Sequence, residues 1–231
     1  MRTRLLAIAL AVSLPLVLTA CSGNDSAKPE DTTLAPRLAK AKATLDGAET
    51  LIISLSTKSL PTGVTGLLSA TGRGNHSPAF KGTVKVIAGG ASLGADVVAV
   101  DGIVYAKTGF SPMFLTVDPA SLKAPDPATL IATTGGISDL LVKATKLTDG
   151  GETRDGSTVL SAIDGRLLGT VVQSLVPSAD PTKTFTVTYR LSDADELRDA
   201  TITGPFYPNS GNITYTIKVS TSDTPVTITK P

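Results

Sequence analysis

Gly82-Thr83-Val84-Lys85-Val86-Ile87-Ala88-Gly89-Gly90-Ala91-Ser92-Leu93-Gly94-Ala95-Asp96-Val97-Val98-Ala99-Val100-Asp101-Gly102-Ile103-Val104-Tyr105-Ala106 decides the fold. Val84, Val86 and Ala88 alternate with Thr83, Lys85 and Ile87; Leu93, Ala95 and Val97 alternate with Ser92, Gly94 and Asp96. A period of two is the mark of a half-buried strand. Gly89-Gly90 and Asp101-Gly102 are two-residue hairpin signals, because type I′ turns need positive φ at both central positions. Ile103 and Tyr105 carry the pattern into a further strand. Lys85 and Asp96 set the phase, since a charged side chain points away from an apolar interior.

The same period extends upstream. Leu51, Ile53 and Leu55 alternate with Ile52, Ser54 and Ser56; Leu68, Ala70 and Gly72 alternate with Leu67, Ser69 and Thr71. Pro61-Thr62-Gly63 marks a loop, and residues 72–78 read as a breaker-rich turn. About five strands thus form an antiparallel meander with one apolar face. Before them, Leu34, Leu38, Ala41, Leu45 and Ala48 make a helical stripe that ends near Gly47. Downstream, Asp126-Pro127 is an N-cap signal. Leu130, Ile131, Ile137, Leu140 and Leu141, interrupted by Gly135-Gly136, predict a broken pair of short helices across 127–146. A hairpin over 152–166 turns at Asp155-Gly156. Leu168, Val171, Val172 and Leu175 predict a helix over 167–176, ended by Pro177 and Pro181. Strands follow at 184–191, 199–203, 212–220 and 226–229, with a turn at 193–196. Strands grouped apart from helices indicate α+β, with helices on one face of an antiparallel sheet.

The N-terminus carries a different message. Arg2 and Arg4 precede an apolar run from Leu5 to Leu18, too short to span a bilayer, and Leu18-Thr19-Ala20-Cys21 is a lipobox. Residues 1–20 are read as a signal peptide and Cys21, the single cysteine, as the acylated first residue of the mature chain. Residues 21–33 are a polar tether that spans at most roughly 40 Å, and 34–231 form one domain. Removing the leader leaves 19 basic against 20 acidic residues. That balance gives no reason to expect nucleic acid as a partner. With Cys21 acylated there is no thiol left for a disulfide, a metal or a nucleophile.

Candidate chemistry is sparse. His76 is the single histidine, in a turn, with no nucleophile elbow to serve, and reads as a solvated loop residue. Gly72-Arg73-Gly74 lacks the third glycine and following helix of a phosphate loop. Asp193, Asp195 and Glu196 lack the glycine of a calcium loop and read as a solvated turn. Asn75-His76-Ser77 and Asn212-Ile213-Thr214 match glycosylation sequons without functional weight in a bacterial lipoprotein. No enzyme, cofactor or metal is expected.

The chain resembles the mycobacterial LppX/LprA/LprF/LprG lipoprotein family, its LprG members most closely. The residues that carry the resemblance are the lipobox; 82–85 with Gly89-Gly90; 95–98 leading to 101–106; Asp126-Pro127-Ala128, Gly136-Ile137 and Leu140-Leu141; and Val226-Thr227-Ile228-Thr229-Lys230-Pro231. The resemblance implies a half-barrel: a curved antiparallel sheet with helices on its concave face enclosing an apolar cavity. It further implies binding of acylated lipids such as triacylglycerol, phosphatidylinositol mannosides or lipoglycans, carriage across the envelope, and an exporter of the major-facilitator type as partner. On this reading the phase of the strands places Ile53, Leu55, Leu68, Ala70, Val84, Val86, Leu93, Ala95, Val97, Ile103 and Tyr105 on the cavity wall. Leu130, Ile137, Leu140, Leu141, Val171, Val172 and Leu175 are expected to face them from the helices. The alternative is a structural or adhesive surface lipoprotein whose apolar face is simply a filled core.

Overall fold

The computed structural model describes residues 33–122 and 124–231. Cys21 and the proposed signal peptide lie outside the described residues. The helix α1 spans Leu34–Asp46 and buries Leu34, Leu38, Ala41 and Leu45, the expected stripe. The strands are β1 (Thr50–Thr57), β2 (Gly66–Asn75), β3 (Ala79–Ala88), β4 (Ala91–Val100), β5 (Ile103–Thr108) and β6 (Leu115–Val117). After two 3-10 turns at Pro119–Leu122 and Thr129–Ile131 come α2 (Asp139–Lys143), β7 (Thr145–Asp155), β8 (Thr158–Leu168) and α3 (Gly169–Gln173). The chain closes with β9 (Thr184–Leu191), β10 (Leu197–Gly204) and β11 (Ile213–Ser222).

All eleven strands join one antiparallel sheet in the order β6-β5-β4-β3-β2-β1-β11-β10-β9-β8-β7. Two meanders are welded at the centre by β1 and β11, where Ile53 faces Val219 and Leu55 faces Ile217. The helices and the 3-10 turn at Thr129–Ile131 cover one face, and their apolar residues merge with that face into one core. Outward positions carry Ser54, Thr71, Thr201, Thr203, Thr214 and Thr216, as a one-sided sheet requires.

Several expectations shift. The turn at 72–78 is in fact mostly strand: β2 runs to Asn75. Gly72 and Gly74 sit inside it because neighbours fill the space a Cβ would take. An added Cβ would stand 2.4 Å from the ring of Phe80 at Gly72 and 2.0 Å from Ile131 at Gly74. β7 starts at Thr145, inside the stretch expected to be helical. The broken helix pair shrinks to one 3-10 turn and the five-residue α2, parted by Gly135 at φ 75°. α3 is also only five residues long, because Leu168 belongs to β8. Residues 226–229 are not a strand. They cross the convex face, where Ile228 packs with Ala79, Val98 and Tyr105.

Candidate functional site

Between the concave face and the helices lies a narrow slot with a free volume of about 40 Å³, partly open to solvent. From the sheet it is lined by Leu55 of β1, Leu67 of β2, Ile202 of β10, and Tyr215 and Ile217 of β11. Phe206 and Tyr207 enter from the β10–β11 connection. Pro125, Leu130, Ile137, Leu140, Val172, Leu175 and Val176 form the roof. The lining is apolar throughout. A wider groove of about 530 Å³ adjoins it at Leu175 and runs along β5 and β6 past Val104, Thr116 and Val117.

The polar atoms that reach this region are consumed by the protein itself. At Leu67 the β2 strand bulges, and β1 no longer pairs with it beyond Ser69. Its backbone would be orphaned, which is costly in an apolar interior. The Leu67 N–H donates to the Tyr207 hydroxyl at 3.1 Å, that hydroxyl meets the Tyr215 hydroxyl at 2.8 Å, and Tyr215 donates to the Leu67 carbonyl. Burial pushes both phenols above their ordinary pKa, so they stay neutral donors. The roof is tied down in a similar way. Tyr189 of β9 donates to the Leu140 carbonyl at 2.5 Å, and burial raises its pKa as well.

Of the residues expected on the cavity wall, Leu55, Leu130, Ile137, Leu140, Val172 and Leu175 line the cleft. Ile53, Ala70, Val86, Val97 and Leu141 are buried in the same core beside it, and Val84, Ala95 and Val171 are half-buried against that core. Four expectations are corrected. Leu68 is the half-buried residue at the bulge, and Leu67 points inward in its place. Leu93 lies near the end of β4 and is 38% exposed. Ile103 and Tyr105 point to the convex side. The two-residue turn at Asp101-Gly102 pairs Val98 with Tyr105 and Ala99 with Val104, so the inward set on β5 is Val104 and Ala106. Ile103 is 40% exposed, and Tyr105 is buried under the C-terminal tail with the Lys230 ammonium 5.6 Å from its ring centre.

The wall residues missed in the sequence are those of β10, β11 and the Phe206-Tyr207 corner, with Pro125 and Val176 in the roof. Their alternation is visible, with Ile213, Tyr215, Ile217 and Val219 in phase, but nothing local says that β11 lies beside β1. His76 is also different from its reading as a solvated residue. It is half-buried, with Nδ1 2.7 Å from the Ile131 carbonyl and Nε2 3.0 Å from the Leu45 carbonyl, and joins the end of α1 to the 3-10 turn. Asp195, expected to be solvated, accepts from Arg37 of α1 at 2.6 Å, and this bond holds its carboxyl below the usual range. Among the described residues no group of three or more histidine, cysteine or acidic side chains is placed to hold a metal ion, and no helix is long and apolar enough to cross a membrane.

The fold and cleft together define a half-barrel: a curved antiparallel sheet whose concave face is roofed by short helices over an apolar slot. The family model of the LppX/LprAFG lipoproteins matches residues 32–228, and the chain belongs to that family. Among solved structures, the chain is similar to LprF from Mycobacterium bovis, with a TM-score of 0.70 and 17% identity over 87% of this chain and 98% of that one. It is also similar to the Mycobacterium tuberculosis lipoprotein LppX, with a TM-score of 0.62 and 17% identity over 86% of this chain and all of that one. No curated protein sequence matches the chain.

Proposed function

We propose that this protein is a non-enzymatic carrier, anchored by acylated Cys21 to the outer face of the cytoplasmic membrane, that holds acylated lipid in the cleft. The cargo class is a triacylglycerol, phosphatidylinositol mannoside or lipoglycan, as the LprG-like motifs imply, passed across the envelope with a major-facilitator-type exporter. The observation that carries the reading is the wholly apolar lining of a cleft that opens to solvent. A filled core needs no such slot, and a catalytic site needs polar groups that converge on it. Each methylene removed from water gains about 0.8 kcal/mol, so a 16-carbon chain gains on the order of 12 kcal/mol once roof and sheet part to admit it. The lining offers no polar partner to a headgroup, which therefore stays at the mouth.

The test is to purify the protein from bacterial membranes, extract it with organic solvent and analyse the extract by mass spectrometry. Stoichiometric acyl lipid, beyond that attached to the chain, is the expected result. A protein that carries none and takes none from vesicles is a structural lipoprotein, and the carrier reading fails.

A further inference from the structure

We propose that the end of the sheet bearing the 109–114 loop docks on the surface of an anionic lipid bilayer, with Phe110 and Met113 entering the acyl boundary. This goes beyond the carrier reading and stands on the loop, not on what fills the cleft.

Register defines the two ends. β1, β3 and β5 run toward one end, where the connections 58–65, 89–90, 109–114, 169–183 and 205–212 lie; the turns 76–78, 101–102, 156–157 and 192–196 lie at the other. Phe110 is 91% exposed and Met113 67% exposed. Such exposure of two large apolar side chains three residues apart marks a contact site when the backbone is ordered. Here it is ordered. The Ser111 N–H donates to the Thr108 carbonyl at 3.1 Å, and the Ser111 hydroxyl donates to the Met113 carbonyl at 2.9 Å. Phe114 packs into the convex cluster around Tyr105, so the turn is pinned from behind while its tip faces outward. Leu93 and Leu168 are exposed at the same end.

Charge selects the partner. Lys58, Lys85, Lys107, Lys146, Arg166 and Lys183 lie on this half of the sheet or in its loops. Lys85 and Lys107 share a surface groove with Gly109, beside the apolar tip. The acidic residues on this half are Asp96 in that groove, Asp149, which accepts from the Gly151 N–H, Asp164, bonded to Thr188, and Asp180, bonded to Thr182. The opposite end is mixed: Glu49, Asp101, Asp155, Asp193 and Asp223 stand there among Arg73, Lys81, Arg154 and Arg198. Apolar tips ringed by lysine and arginine suit the interface of an anionic membrane, where the rings and thioether enter and the cations stay with the headgroups. The cleft lies in this same half, between Leu55, Leu67, Tyr215 and Ile202. Docking would therefore bring the cleft close to the lipid surface. α1 begins at the other end, where Arg37 meets Asp195. Residues 21–33 can reach at most roughly 40 Å, more than the roughly 33 Å of a ten-residue strand, so an anchor at Cys21 permits this orientation.

The chain contains no tryptophan, so one can be introduced as a reporter. Phe110→Trp and, as the control at the far end, Asp193→Trp are made in the protein purified from membranes and reconstituted into phosphatidylcholine–phosphatidylglycerol vesicles with brominated acyl chains. The expected result is several-fold stronger quenching of the probe at 110 than at 193. A cleft that takes no lipid leaves this readout unchanged. Equal quenching at both positions, or none at 110, overturns the proposal. Quenching at 110 that is as strong in purely zwitterionic vesicles overturns the anionic-surface assignment. A blue shift at 110 that appears without vesicles and grows with protein concentration assigns the loop to a second copy of the chain and overturns it too.

Discussion

At the scale of single residues, the hydroxyls of Tyr207 and Tyr215 stand in for a missing strand partner at Leu67. Leu67 N–H, Tyr207 hydroxyl, Tyr215 hydroxyl and Leu67 carbonyl form a closed circuit in which the amide donates, each hydroxyl accepts once and donates once, and the carbonyl accepts. Tyr215→Phe breaks it at two points and leaves a buried carbonyl without a donor, at a cost of about 1–3 kcal/mol. Chemical denaturation should show that loss with little change in slope. An unchanged midpoint would mean that water replaces the hydroxyl. Asp139 is the second such residue. Burial alone would raise its pKa, but the Gly135 N–H, Lys42 and Lys143 outweigh that and hold it at about 2. A folded pKa below the unfolded one gives stability that is present above about 4 and is lost as pH falls toward 2. Asp139→Asn should therefore destabilise at neutral pH, by on the order of 1–2 kcal/mol, and the gap between the two proteins should close progressively below pH 4. A gap that is constant from pH 7 to pH 2 would show that the charge is not what Asp139 contributes.

Elements show where local sequence suffices and where it does not. The hairpin β3–β4 was legible in its turn and its phase, though not in the exposure of Leu93: Gly89 and Gly90 adopt φ 57° and 79°, Ala88 pairs with Ala91, and Lys85 and Asp96 point outward. The following hairpin was legible as a turn but not in phase, since pairing Val100 with Ile103 turns Tyr105 away from the cavity. The bulge between Leu67 and Ser69 left no mark in the pattern, because Leu67 and Leu68 are equally apolar. The short helices were overestimated because an apolar i, i+3, i+4 pattern also fits a 3-10 turn flanked by coil. Such short roof elements have little stability of their own and depend on tertiary ties. α2 depends on Tyr189, whose hydroxyl holds the Leu140 carbonyl, and on Lys42 of α1, 2.9 Å from Asp139. Tyr189→Phe should loosen α2 before the sheet. Native-state hydrogen exchange should then accelerate at 139–143 and stay slow in β9 and β10, whereas uniform acceleration would mean that the roof and sheet open as one unit.

For the whole molecule, the question is whether the interior is a cleft or a core, and the two respond differently to added bulk. A packed core has no room, and an inserted ring costs about 1–3 kcal/mol in strain. A slot accepts the ring and loses its ligand. Val172 lines the cleft from α3, whereas Ile163 of β8 is fully buried without lining it. Closing the sheet through β1 and β11 puts both residues beneath one concave surface, so they differ in what lies opposite them and not in general burial. Val172→Trp should keep the melting temperature near that of the parent and abolish uptake of fluorescent acyl lipid. Ile163→Trp should lower the melting temperature while the folded fraction still loads lipid. If Val172→Trp is instead markedly destabilised and loads normally, the residues under α3 are ordinary packing and the cavity has been placed wrongly. Differential scanning calorimetry and lipid loading on the same two proteins separate these outcomes.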